Sequence, residues 1–282
     1  MNKYSTMKKT VLITGASSGI GKSIALLFAA KGWNVAATMR NPSNTDAFNS
    51  IPSIKSYTLD VTNEESVKKA FTAIHNDFSQ IDVVVNNAGY GATGIFEKAT
   101  AEQIRRQFET NVFGLMNVIS ESLPYFRNAK NGTIINITSM GGLITFPFYS
   151  VYHGTKWAVE GFSESLAFEL RHLNIRVKCV EPGAIKTDFY DRSMDLFKNP
   201  AITDYDKYEE VVFKNTQQAG KDAPGPEVVA RTVFKAATDN SNKLRYPVGG
   251  LAPALLILRR LLPVSWFTAI VASQVEKGFK KQ

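Results

Sequence analysis

The chain reads as a single α/β domain, a doubly wound parallel sheet of about seven strands with helices on both faces. Three observations predict it. Short apolar runs alternate with longer stretches of helical periodicity along the 282 residues. Several short runs are apolar on consecutive residues, Val83-Val84-Val85 most plainly, as strands covered on both faces require. A glycine-rich turn from Gly15 to Gly21 follows the first run and opens the first helical pattern.

In order, residues 10–14 form the first strand, and Ile20, Ile24 and Phe28 the stripe of the helix after it. Strands follow at 33–39, 54–59 and 81–86, with a helix marked by Val67, Ala70, Phe71, Ile74 and Phe78 before the last of these. Ile104, Phe108, Val112, Leu115, Ile119 and Leu123 predict one long helix, then a strand at 132–138. Ala158, Phe162, Leu166 and Leu170 mark the next helix, and 175–180 and 244–248 the last strands. Residues 188–226 are the least regular and rich in aromatics, as expected of a lid or binding loop. Residues 1–250 thus make one domain. The apolar tail at 251–282 is its helical extension, expected to dock on the core or on another copy rather than on a membrane.

Composition narrows the class. At 44% hydrophobic and 21% charged, the chain is an ordinary globular protein. Its formal net charge of +8 gathers partly at the ends, and no basic stripe interleaved with aromatics points to nucleic acid. The single cysteine, Cys179, rules out an internal disulfide and sits in an apolar strand, so it is read as buried and inert. Three scattered histidines without ligand spacing predict no metal. His75 and His172 read as surface residues. There is no secretory h-region and no apolar run of spanning length, which predicts a cytoplasmic protein.

The glycine turn has the context a dinucleotide needs. Gly15, Gly19 and Gly21 let the backbone approach a pyrophosphate, and the helix N-terminus attracts its charge. Ser17 and Ser18 add hydroxyl donors. At the end of the second strand, residues 36–41 carry no carboxylate but do carry Arg40. A guanidinium suits a 2′-phosphate, so NADP(H) is expected over NAD(H). Farther on, Tyr152 and Lys156 stand four apart, on one helix face. An ammonium beside a phenol favours the phenolate, which gives a proton donor and acceptor usable near neutral pH. His153 points about 100° away from Tyr152 and is read as a neighbour of the substrate or the helix surface, not as a base.

Three motifs, Thr14-Gly15-Ala16-Ser17-Ser18-Gly19-Ile20-Gly21, Asn86-Asn87-Ala88-Gly89 and Tyr152-xxx-Lys156, stand in an order that resembles the short-chain dehydrogenase/reductase family from about Val11 to Thr187. The resemblance implies a Rossmann-type fold and an oxidoreductase that interconverts a carbonyl and a secondary alcohol by hydride transfer. It implies that Asp60 and Val61 contact the adenine, and that Asn87, Ala88 and Gly89 close the cofactor floor. Pro182, Gly183, Ile185 and Thr187 hold the nicotinamide. In the catalytic group it implies, Tyr152 is the acid/base and Ser139 orients the substrate oxygen. Lys156 keeps the tyrosine acidic and holds the ribose, and Asn111 anchors a water. Thr138 competes with Ser139, but strand alternation turns it to the other side. The segment from Ser139 to Phe148 and the pair Arg245-Tyr246 are similar to the hydroxysteroid and retinol dehydrogenase subgroup. Phe146, Phe148, Phe189 and Tyr190 are candidates to line a pocket for a hydrophobic small molecule. Two other readings stay open: a reductase of carrier-bound 3-oxoacyl groups, and a regulatory protein that binds NADP without turnover. The family's helices around 104–127 and 157–171 imply a homo-oligomer, a dimer or tetramer.

Overall fold

The computed structural model describes residues 8–187, 194–219 and 223–279. Its centre is a seven-stranded, all-parallel sheet built from β1 (Thr10–Ile13), β2 (Asn34–Met39), β3 (Ile54–Thr58), β4 (Val83–Asn86), β6 (Gly132–Ile137), β7 (Ile175–Pro182) and β9 (Arg245–Val248). The spatial order is β3-β2-β1-β4-β6-β7-β9. Val11 pairs with Val35 on one side and with Val83 on the other. The order therefore reverses between β1 and β4, the switch point where open α/β sheets bind ligands beyond their strand ends. A separate parallel pair joins β5 (Gly91–Thr93) to β8 (Met194–Leu196).

Two apolar layers sandwich the sheet. Against one face pack α1 (Gly19–Ala30) and α7 (Glu227–Thr238), through Phe28, Val229 and Val233. Phe28 meets Trp33 and Phe234 edge-on, each at 5.1 Å between ring centroids. Against the other face pack α2 (Glu64–Phe78), α4 (Gly114–Ala129) and α5 (Ser150–Leu170), through Phe71, Val118, Val159 and Leu166. The sheet centre also holds a polar chain. Asn86 Nδ2 donates to Asn136 Oδ1 at 2.9 Å, and Asn136 Nδ2 donates to Ser163 Oγ at 2.8 Å. The chain ties two neighbouring strands to α5, although Asn86 Oδ1 is left buried without a hydrogen-bond partner.

Every predicted strand is present, with ends shifted by one or two residues. The sequence did not show β5 and β8, because a three-residue bridge carries too little alternation to be read. The long helix expected across 104–123 is real but not uniform. α3 (Ala101–Phe108) runs through a π-helical turn, Glu109–Phe113, into α4. The connection expected to be irregular carries β8 and a helix, α6 (Asp206–Ala219). The tail forms two helices, α8 (Ala252–Leu261) and α9 (Val264–Val275), of which Ala252 and Phe267 are buried. Among the described residues no helix is long and apolar enough to cross a membrane.

Candidate active site

The predicted motifs converge beyond the C-terminal ends of β1, β4, β6 and β7. At the first of these, Asn87 stitches the glycine turn to β4. Its Nδ2 donates to Thr14 O and Gly15 O, each at 3.0 Å, while Thr14 Oγ1 accepts from the N–H groups of Asn87 and Ala88 at 3.0 Å. The turn is packed too tightly for side chains. A Cβ on Gly21 would stand 2.3 Å from Gly15 O, and one on Gly15, where φ is +64°, 2.9 Å from Ala88 Cα. Ser17 and Ser18 are exposed, and Ser18 makes no side-chain cap on α1, whose first turn carries no acidic residue. Ile20 lies partly buried on the core. Exposed backbone donors, an unopposed helix N-terminus and a Cβ-free cradle fit a pyrophosphate.

A cleft of about 670 Å³ opens beside Gly19 and Thr187, and three cations line it: Lys22, Lys186 and Arg231. The sequence reading missed these cations, because Lys186 and Arg231 lie in segments far from the glycine motif. Thr187 Cβ stands 3.6 Å from a Cβ built on Gly19, so residues from the two ends of the resemblance do meet. Pro182 ends β7, the N–H of Gly183 bonds to Val248 O at 2.8 Å, and Ile185 is buried.

On α5, Lys156 is buried and its Nζ donates to Ile137 O at 3.0 Å, 5.7 Å from the centroid of the Tyr152 ring. Burial lowers the Lys156 ammonium to a pKa of about 8, opposed by the negative charge of Glu160. Tyr152 itself is half-buried. Ser139 caps the turn after β6, its Oγ accepting from Gly141 N–H at 3.0 Å. Thr138 is turned away as expected, with Oγ1 donating to Val180 O at 3.1 Å. Asn111 sits in the π-helical turn, a feature common at functional sites. Its amide is fully engaged: Nδ2 donates to Tyr90 O at 2.9 Å and to Thr155 Oγ1 at 3.2 Å, and Oδ1 accepts from Tyr90 N–H at 3.1 Å. Gly89 lies against that same amide.

One expectation needs correcting. His153 does not lie on the helix surface but is buried. Nδ1 lies 2.8 Å from Gly141 O, and Nε2 accepts from Phe146 N–H at 3.0 Å. The ring thereby ties the turn after Ser139 to the helix of Tyr152. Burial pushes its pKa down to about 4, so it stays neutral. His75 and His172 are exposed, as read.

Behind Lys156 lies a buried charged cluster that the sequence reading also missed. Glu160 follows Lys156 by one helical turn. Arg245 Nε donates to its Oε2 at 3.0 Å and stands 3.5 Å from Glu181 Oε1, while Nη2 reaches Glu164 at 2.6 Å. Burial, then the neighbouring Glu160, raise Glu181 to about 8, which keeps it protonated at neutral pH. Burial also raises the Cys179 thiol far above its usual range, in keeping with an inert thiol.

The remaining predicted residues stand farther out. Arg40 is exposed just past β2. Asp60 Oδ1 accepts from Thr62 N–H at 3.0 Å and from Thr62 Oγ1 at 2.8 Å. Val61 is buried, with its carbonyl held by Asn117 Nδ2 at 3.1 Å. Phe146 packs near His153, and Phe148 (φ +72°) packs edge-on to Tyr208 at 5.8 Å. Phe189 and Tyr190 lie outside the described residues.

Comparison with known proteins agrees with this geometry. Residues 9–195 match the family model for short chain dehydrogenase. A short-chain dehydrogenase from Streptomyces avermitilis superposes with a TM-score of 0.81 at 32% identity, covering 98% of this chain and all of that one. ElxO, solved with NADP bound, superposes at 0.73 with 29% identity, over 88% of this chain and all of ElxO. The 3-ketodihydrosphingosine reductase of Bacteroides thetaiotaomicron is 42% identical over 181 residues, 64% of this chain and 65% of that protein. A parallel sheet with a glycine cradle at its switch point, a tyrosine–lysine pair on one helix face and a family match over most of the chain lead to one conclusion: this chain belongs to the short-chain dehydrogenases.

Proposed function

We propose that this oxidoreductase uses NADP(H) to interconvert a carbonyl and a secondary alcohol on a hydrophobic small molecule. One observation carries the reading: Tyr152 and a buried Lys156 share one helix face, 5.7 Å apart from ring centroid to ammonium, beyond the end of β6 where Ser139 stands. The glycine cradle, Lys22 and Lys186 would hold the dinucleotide phosphates. Arg40, in a stretch without a carboxylate, would pair with the 2′-phosphate. Asp60 and Val61 would flank the adenine, Asn87 to Gly89 the cofactor floor, and Pro182, Gly183, Ile185 and Thr187 the nicotinamide. When bound, the cofactor supplies or accepts the hydride.

The chain does the rest. In reduction, Tyr152 hands its phenolic proton to the carbonyl oxygen as negative charge grows there. Ser139 Oγ accepts from Gly141 N–H and donates to Pro182 O across 3.4 Å, and in this step it redirects that proton to the same oxygen. A Lys156 with a pKa of about 8 is mostly an ammonium at neutral pH, and it supports the tyrosine as that proton leaves. Asn111, clamped by Tyr90 and Thr155, would anchor a water through which the proton is resupplied from solvent by way of Lys156. In the oxidative direction each step runs backwards. A hydrophobic ketone fits the aromatic surroundings at Phe146 and Phe148, and the name of the Bacteroides relative supports a lipid-like substrate. The exposed faces of Phe113, Trp157 and Phe168 support self-association through α4 and α5.

The test is a titration of NADPH against NADH, followed by oxidation with a panel of aldehydes, quinones and long-chain and steroidal ketones. NADPH is expected to bind more tightly, and Tyr152→Phe to keep that binding while losing turnover by roughly a thousandfold or more. An NADH efficiency equal to that of NADPH would overturn the role of Arg40. Unchanged turnover in Tyr152→Phe would overturn the role of the tyrosine.

A further inference from the structure

The last two helices turn apolar side chains the wrong way. On α8, Ile257 and Leu261 stand four apart on one helix face and are exposed, and Leu251, just before the helix, is exposed as well. On α9, Trp266 and Ile270 again stand four apart and exposed, and Val264 is exposed at the first residue of the helix. These six side chains are 43% to 74% exposed, and they gather in twenty residues of a chain whose other large apolar groups are mostly covered. Scattered exposed leucines need no explanation, but a concentrated apolar face does.

This face belongs to a fixed element. Ala252 and Phe267 are buried beneath it. Asn215 Nδ2 on α6 donates to Val275 O and Lys277 O, each at 3.0 Å. Tyr208 bonds to Glu276 at 3.1 Å and packs on Phe279 at 5.2 Å.

We propose that the α8–α9 hairpin is an interfacial anchor that lays the protein on an anionic lipid bilayer. Charge selects this occupant. Residues 251–282 carry Arg259, Arg260, Lys277, Lys280 and Lys281 against the single acid Glu276, in a chain of net charge +8. A second copy on the same face would set these cations against their own kind, whereas anionic headgroups complement them. A tryptophan and aliphatic side chains exposed together in a cation-rich segment fit a helix lying in the headgroup region. Spanning is ruled out for these helices by length. α8 has 10 residues, about 15 Å of helix against a hydrocarbon core of about 30 Å. The inference does not rest on the proposed chemistry, although an enzyme so placed would meet hydrophobic substrates where they partition.

Co-sedimentation of the full chain with phosphatidylcholine vesicles, with and without phosphatidylglycerol, tests it. Binding is expected only with the anionic lipid and is expected to weaken as salt rises. The tryptophan emission should shift to the blue, and that shift should vanish in Trp266→Phe. Ile257→Ser with Leu261→Ser and Trp266→Ser should weaken binding by roughly tenfold or more while leaving circular dichroism and melting intact. Absence of wild-type binding to anionic vesicles would overturn the proposal, as would a triple variant that binds like wild type. A wild-type dimer that the triple variant dissociates, with no vesicle binding, would overturn it in favour of a second copy.

Discussion

Replacing His153 by glutamine tests how the turn after Ser139 is held. Both ring nitrogens of the buried histidine are committed, one to Gly141 O and the other to Phe146 N–H. Because Nε2 accepts, the proton sits on Nδ1, and a second proton would cost the bond from Phe146. Burial therefore lowers the folded pKa from 6.5 to about 4, opposed in part by the bond to Gly141. Unfolded, the residue takes up a proton below about 6.5, and folded only below about 4. In that window the unfolded state binds more protons, so the stabilisation is present above pH 6.5 and is lost as pH falls towards 4. Between pH 7 and pH 5 this linkage removes about 2 kcal/mol. Urea unfolding of both proteins at those two pH values is the assay, because the other titrating groups cancel between them. His153→Gln should be less stable at pH 7, by about 1–3 kcal/mol for the broken bonds, yet lose about 2 kcal/mol less on acidification. Equal acid losses in the two proteins would refute the reasoning.

Two further substitutions test the cradle and the charges behind Lys156. In Gly21→Ala the new methyl meets Gly15 O at 2.3 Å and Asn87 Nδ2 at 2.6 Å, both anchored groups, so melting should fall by about 1–3 kcal/mol equivalent and dinucleotide affinity by roughly tenfold or more. Gly161→Ala, where nothing lies within 4 Å in mid-helix, should instead stabilise by about 0.5–1 kcal/mol, and equal effects at the two sites would argue against the cradle. Glu160→Gln removes the charge that opposes the burial of Lys156. At about 6 Å and an effective dielectric of about 20, that charge supports the ammonium by at most roughly 2–3 kcal/mol, so the alkaline limb of kcat should move one to two units towards lower pH. A pH–rate profile with an unmoved limb would show that Glu160 does not act on Lys156.

Much of this protein was legible one residue after another. Consecutive apolar runs and 3.6-residue stripes marked all seven strands of the main sheet and the helices beside them, because burial on a regular element repeats at its own period. The glycine turn, Asn87 to Gly89 and the Tyr152–Lys156 spacing were equally local, since backbone approach and one helical turn each need only a few neighbouring positions. Tertiary structure alone decided the rest. His153 was readable only as a neighbour of the substrate or the helix surface, because helical spacing says which way a side chain leaves, not what waits for it; the turn at Gly141–Phe146 waited. Glu160 and Glu181 became buried partners only when Arg245, some 80 and 60 residues away, was brought beside them. Lys178, charged within an apolar strand, is fully buried, with Nζ on Ala236 O at 2.7 Å and on Asp239 at 2.5 Å, 61 residues on. The tail was legible as apolar but not as outward-facing, because the share of a helix that is covered depends on what packs against it. Periodicity and spacing are properties of the chain; burial, charge partnership and exposure are properties of pairs distant in sequence, and only folding creates those pairs.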